Sequence, residues 1–262
     1  MSVTVPAMLP PEHYLRLIKI QDGGARALTH LAMVRSASGT PQRAYVKQFP
    51  HLAPRSLFNE WFGYIFMSAV GVAQPEAGVL LAPVPGQNRQ AWAFVSFEPM
   101  PRSEGTPKEI YDITSDSHAK ILAARLMACH GFALLNAADQ LCINGDRNIG
   151  NLVFTGPRSF VAIDHSDILG GYDWQRDSLI RPTVWAKAKL VELCQAVQPL
   201  TATQRDALIA AADVAIEALY LQWLPLRDAL QGDPDARTAL DAVWWRSLTV
   251  AQWYRDKLQL LL

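Results

Sequence analysis

The chain has 262 residues, enough for one or two domains with a substantial core. Half of them are hydrophobic and 18% are charged, which excludes a wholly disordered chain. Lys plus Arg and Asp plus Glu number 24 each, so the formal net charge is zero. The basic excess of a dedicated nucleic-acid binder or a polybasic membrane-surface protein is missing, and no direct nucleic-acid binding is expected.

The first hundred residues read mostly as strands. YLRLIKI, from Tyr14 to Ile20, alternates apolar and polar positions and runs into the turn residues Asp22-Gly23-Gly24. LTHLAMVR follows, then the turn residues Ser36 to Pro41, then RAYVKQF, giving three antiparallel strands. After Pro54-Arg55-Ser56 the period changes. Leu57, Trp61, Ile65 and Phe66 recur at helical spacing, which predicts a helix to Val70 that stops at Gly71. GVLLAPV and QAWAFVSF read as two more strands around Gly86-Gln87-Asn88. Glu98-Pro99-Met100-Pro101 breaks the pattern and marks a linker.

Beyond the linker the chain turns helical. Ser115 to Gln140 is apolar and rich in Ala and Leu, with a break expected at Gly131. NLVF and FVAID form a short hairpin around Gly156-Pro157. Three helical segments, 183–197, 202–230 and 234–261, complete the chain, the middle one interrupted by Pro225. The expected architecture is α+β and two-lobed: residues 1–101 form a small antiparallel sheet with one helix, and 102–262 a larger, mostly helical lobe. Residues 1–101 carry 8 basic and 5 acidic side chains, so a mild positive excess falls in the smaller lobe.

Cys129, Cys142 and Cys194 are far apart and flanked by apolar residues, which predicts buried free thiols in a reducing compartment. The opening MSVTVPAMLPPEH lacks a basic region followed by an apolar stretch, so no signal peptide is expected. The longest charge-free stretch, Trp61 to Pro75, falls short of the ~18 apolar residues of a membrane span. A soluble cytoplasmic protein is expected. His130 is expected to be a core histidine, and Trp244, Trp245 and Trp253 to pack among the final helices.

The chemistry concentrates in Ile143-Asn-Gly-Asp-Arg-Asn-Ile-Gly-Asn151 and Phe160-Val-Ala-Ile-Asp-His165. Asp146 is followed five residues later by Asn151, and Asn151 thirteen residues later by Asp164. Phosphoryl transfer needs such a set. One carboxylate accepts or orients the proton of the attacking hydroxyl, while an amide oxygen and a second carboxylate hold Mg²⁺ against the triphosphate. The Asp–Asn spacing equals that of the protein-kinase catalytic loop. Kinase chemistry also wants a strand Lys aimed at the phosphates and a helix Glu to hold it. Lys47 in AYVKQF stands on the third predicted strand and Glu60 on the next helix. Gly23 and Gly24 allow backbone amides to approach phosphates.

These segments resemble the HipA-like branch of the protein-kinase-like superfamily, which is related to the phosphatidylinositol 3- and 4-kinases. GDRNIGNLVF and AIDH are similar to that group's D-R-x-x-x-N and I-D motifs. The resemblance covers about Tyr14 to Gly171. It implies ATP and Mg²⁺ as cofactors and a bilobal kinase-like fold. Asp146 corresponds to the catalytic base, Asn151 and Asp164 to the metal ligands, Lys47 to the phosphate-binding lysine and Glu60 to its partner. Phe97, Glu98 and Met100 would form the hinge against the adenine. Asn144-Gly145-Asp146 stands in place of His-Arg-Asp and Asp164-His165-Ser166 in place of Asp-Phe-Gly, and there is no G-x-G-x-x-G or A-P-E. The implied activity is transfer of the γ-phosphate to a hydroxyl, protein Ser/Thr first and a lipid or small-molecule alcohol second. A cognate regulator or antitoxin is the implied partner. A pseudokinase acting as a nucleotide-binding adaptor is the reading from another class. Arg147 is open between pairing with a carboxylate and touching phosphate, and His165 between anchoring backbone and catalysis.

Overall fold

The computed structural model describes residues 3–21, 27–50, 52–99, 116–179 and 185–259. β2 (Tyr14–Ile20), β3 (Leu28–Arg35) and β4 (Pro41–Gln48) form an antiparallel meander. α1 (Ser56–Ala69) follows and ends just before Gly71, whose φ of 88° reverses the chain. β5 (Ala77–Pro83) and β6 (Gln90–Phe97) pair antiparallel, and β6 also pairs with β4. A two-residue strand, β1 (Ala7–Met8), runs parallel to β5 and gives the sheet the order β1-β5-β6-β4-β3-β2. Lys47 therefore stands on the fourth strand, not the third. Two residues between prolines carry no periodicity, so only their pairing with β5 makes them a strand.

Alternation along these strands sorts the sheet into two faces. Ala32, Val34, Ala44, Val46, Ala93 and Val95 are fully buried on one. The register sets Lys47 opposite Thr29 and Phe94, and Tyr45 opposite Ser96, on the other. That second face looks toward α1 and the helical half. α1 itself buries Phe62, Ile65 and Phe66 in the core it shares with the helical half. Each such side chain contributes about 1.5–3 kcal/mol when fully buried.

The helical half opens with α2 (Asp116–Ala128) and α3 (Phe132–Leu141), which part at the expected break next to Gly131. β7 (Leu152–Gly156) and β8 (Ser159–Ala162) form the small hairpin. A one-turn α4 (Arg176–Leu179) precedes α5 (Lys189–Val197). α6 (Ala202–Leu221) starts on a capping box in which Thr201 and Gln204 bond reciprocally. The chain then breaks at Gln222 rather than Pro225, which lies in the first turn of α7 (Trp223–Ala229). A first-turn proline forfeits no intrahelical bond, so it starts the helix instead of ending one. α8 (Pro234–Ser247) is capped by Asp233 and separated at Leu248-Thr249 from α9 (Val250–Gln259).

All three cysteines are buried and free. Trp244 packs on Trp223 at 4.4 Å and Trp253 on Trp185 at 5.0 Å, whereas Trp245 stays 54% exposed. His130 is also exposed, in the turn between α2 and α3, because the break at Gly131 carries it off the apolar helix face. Among the described residues no single helix is long and apolar enough to cross a membrane.

Candidate active site

A cavity lies between the inner face of the sheet, α1 and the β7–β8 hairpin. Its apolar part is built by Tyr45, Tyr64, Phe94, Val153 and Ala162. Its polar end is built by Lys47, Glu60, Asn151 and Asp164. An apolar slot leading to a charged end suits a ligand with an apolar body and a charged tail.

Lys47 is the penultimate residue of β4, on the inward face. Its Nζ lies 2.8 Å from Glu60 Oε1 and 3.0 Å from Asp164 Oδ1. Glu60 is 1% exposed on α1, and its other oxygen accepts the His165 main-chain N–H at 2.8 Å. Burial pushes the Glu60 carboxyl above the usual range, against the pull of Lys47 and the His165 amide. Burial alone would lower the Lys47 ammonium, but Asp164 and Glu60 outweigh it and hold the lysine charged. Burial would likewise raise Asp164, yet Lys47 and the Ser166 hydroxyl keep it well below the carboxylate range. One ammonium between two carboxylates leaves a net negative charge facing the cavity. Removing such charge from water is costly unless it is compensated, and a cation compensates it.

The loop from Cys142 to Asn151 is organised around Asp139, a buried carboxylate on α3. Arg147 grips it through Nε at 2.9 Å and Nη2 at 3.1 Å, and Asn144 donates to it at 3.0 Å. Arg147 also donates to the Ile163 carbonyl at 2.6 Å, which joins this loop to the strand leading to Asp164. Of the two alternatives for Arg147, the structure has the carboxylate pairing. The Asp146 carbonyl accepts from both Asn148 and Asn151 side chains, at 2.9 and 3.0 Å. Because the Asn151 amide nitrogen is used there, its oxygen is what the side chain offers to the cavity.

Lys47, Glu60, Phe97, Asn151 and Asp164 thus share one cavity. Asp146 is not among the lining residues; its carboxylate is 53% exposed and lies 3.1 Å from Lys189 Nζ at the start of α5. Glu98 pairs with Arg43 at 3.2 Å and does not line the cavity either, while its neighbour Pro99 does. Gly23, Gly24 and Met100 lie outside the described residues. Sequence reading missed Asp139, Gln74 and Lys189. Tyr45 was reachable from Lys47 by strand alternation, but Gln74, in the α1–β5 connection, carries no local signal.

No protein-family model matches the sequence, and no curated protein sequence is similar to it. Among solved structures, the crystal structure of the Helicobacter pylori proinflammatory kinase CtkA is similar to this chain with a TM-score of 0.53. The two share 13% sequence identity, and the match covers 98% of this chain and 99% of that one. The likeness spans both halves, and with the sheet, helix and hairpin described above it gives this chain a bilobal, protein-kinase-like fold.

Proposed function

We propose that this chain is an ATP- and Mg²⁺-dependent phosphotransferase of the HipA-like kind, passing a γ-phosphate to a hydroxyl acceptor. The observation that carries the reading is the Lys47–Glu60–Asp164 cluster at the charged end of an apolar cavity. The kinase-like fold supports it from a second side.

The donor set fits the cofactors. Asp164 and Asn151 present hard oxygen atoms on the cavity wall, the ligand type Mg²⁺ requires. Among the described residues no group of three or more His, Cys, Asp or Glu could hold a metal by itself. Mg²⁺ is commonly bound by one or two carboxylates plus substrate phosphates, so this sparse set suits it better than a metal caged by protein alone. Mg²⁺, once bound with the nucleotide, supplies charge neutralisation between the phosphates.

The chain's own groups then have separate tasks. Lys47, kept charged by Glu60, offers an ammonium to phosphate oxygens. The apolar walls exclude water and hold the flat base. Asp146, exposed to solvent and clamped through its carbonyl, would receive the proton of an incoming hydroxyl. Lys189 beside it adds positive charge where the acceptor would enter. The resemblance of GDRNIGNLVF and AIDH to HipA-like kinases makes protein Ser or Thr the proposed acceptor, and a cognate regulator the proposed partner.

Labelling a cell lysate with [γ-³²P]ATP tests the reading. Wild type is expected to label a polypeptide that Asp146→Ala leaves unlabelled. A labelled lipid would change the acceptor, and equal labelling by both proteins would overturn the role given to Asp146. A wild type that neither labels nor binds ATP contradicts the whole reading.

A further inference from the structure

Asp164 has a φ of 62°, in the left-handed region. For a residue with a Cβ this conformation is unfavourable and persists only where the surroundings hold it. His165 supplies the hold. Its main-chain N–H is bound by Glu60, and its ring is 2% exposed with both nitrogens engaged. Nδ1 lies 3.1 Å from Arg147 Nη2, and Nε2 lies 2.8 Å from Gln74 Oε1. A guanidinium only donates, so Nδ1 must be the acceptor and the ring proton sits on Nε2, donated to Gln74. The Gln74 amide nitrogen donates to the Tyr64 carbonyl at 2.8 Å, which turns its oxygen toward the histidine. Arg147 is fixed in turn by Asp139 and the Ile163 carbonyl. Gly63 completes the seat: a Cβ there would stand 2.5 Å from the His165 Cβ.

We propose that His165 is a positioning residue. As a neutral imidazole protonated on Nε2, it ties Arg147 to Gln74 in the cavity wall and thereby holds the Asp164 carboxylate against Lys47. The ring nitrogens are taken up by Arg147 and Gln74, a guanidinium and an amide that exchange no proton with a substrate, so the ring takes no acid or base role. The chain Asp139–Arg147–His165–Gln74 crosses from α3 to the α1–β5 connection and makes the direction of Asp164 depend on both halves of the molecule. The consequence for metal binding rests on the phosphotransferase reading, whereas the geometry does not.

Two measurements on the full chain test this. ¹⁵N NMR of the His165 ring at pH 7 is expected to show a proton on Nε2 and none on Nδ1. A proton on Nδ1, alone or in a cation, overturns the proposal whether or not the protein is a kinase. Calorimetric titration with ATP, with and without Mg²⁺, then compares wild type with His165→Asn, Gln74→Leu and the double variant. His165→Asn keeps an acceptor for Arg147 and drops the bond to Gln74; Gln74→Leu removes the same bond from the other side. Each is expected to bind ATP alone within about threefold of wild type and to lose about tenfold of the affinity that Mg²⁺ adds. The double variant should be no worse than the weaker single one. Variants that keep the full Mg²⁺ gain overturn the positioning role and leave the phosphotransferase reading standing. A wild type with no Mg²⁺ gain overturns the phosphotransferase reading and the consequence for metal binding, and the ring NMR then decides the His165 geometry alone. If His165→Asn does not fold, Gln74→Leu and the ring NMR still decide the matter.

Discussion

Lys47 is 11% exposed and balances two carboxylates, so its removal acts on stability as well as on ligand binding. Sequence reasoning alone has Lys47→Ala weaken ATP use strongly and leave the fold intact, because a strand lysine aimed into a cleft contributes charge rather than core packing. Burial changes that expectation. Lys47→Met strands Glu60, at 1% exposure, without its cation, and breaking a buried pair from one side costs about 3–5 kcal/mol. Adding Glu60→Gln removes the stranded charge, so the double variant is expected to regain part of the loss. Urea denaturation of wild type, both single variants and the double variant checks this; a double variant whose loss equals the sum of the two singles would contradict it. Lys47, Glu60, Asn151 and Asp164 were legible because chemistry demands those residue types at known spacings. Asp139 was not, since a carboxylate on a helix reads as a solvated one until the fold brings Arg147 against it. The partner of Asp146 was equally hidden, because Lys189 lies 43 residues on, at the start of a separate helix.

At the scale of elements, the sheet carries a second buried histidine with a consequence of its own. His30 on β3 is fully buried, and among the described residues neither ring nitrogen has a hydrogen-bond partner. Tyr14 of β2 packs edge-on at 5.8 Å, and the cross-strand neighbours are Ile20 and Val46. Burial lowers the imidazole to about 4. The unfolded chain takes up that proton near pH 6.5 and the folded chain only near pH 4, so stability falls as pH drops through this window. Between pH 7 and pH 5 the loss from His30 is about 2 kcal/mol. Urea midpoints of wild type and His30→Leu at both pH values measure it; the variant should lose about that much less, and equal losses would contradict the account. β2 to β6 and α1 were legible within a residue or two, because apolar periods of two and 3.6 are bounded there by Gly and Pro. The breaks at Gln222 and Leu248 were not, since no glycine or proline stands at either. There the chain turns because Trp223 and Trp244 pack together at 4.4 Å, and Val250 is fully buried just past the second break.

At the scale of the whole molecule, α1 joins the sheet to the helical half. Asn59, fully buried on α1, donates to the carbonyls of Ser166 at 2.9 Å and Gly171 at 2.8 Å, and accepts from the Trp174 indole at 2.9 Å. Arg55, just ahead of α1, pairs with Asp235 at the start of α8. The helix that carries Glu60 is thereby bound to the segment that follows Asp164, and the cavity between them keeps its charged end assembled. If this end receives Mg²⁺ with ATP, as proposed, the two aspartates divide the work. The direct test is calorimetric titration of wild type, Asp164→Asn and Asp146→Asn with ATP, with and without Mg²⁺, alongside phosphotransfer. Asp164→Asn removes the carboxylate proposed to face the metal, so it should lose both transfer and the Mg²⁺ dependence of binding. Asp146→Asn should keep Mg²⁺-dependent binding and retain below about one per cent of transfer, since a positioned acid or base contributes ~10²–10⁴-fold. Identical binding defects in the two variants, or Mg²⁺ dependence lost only in Asp146→Asn, would contradict the account.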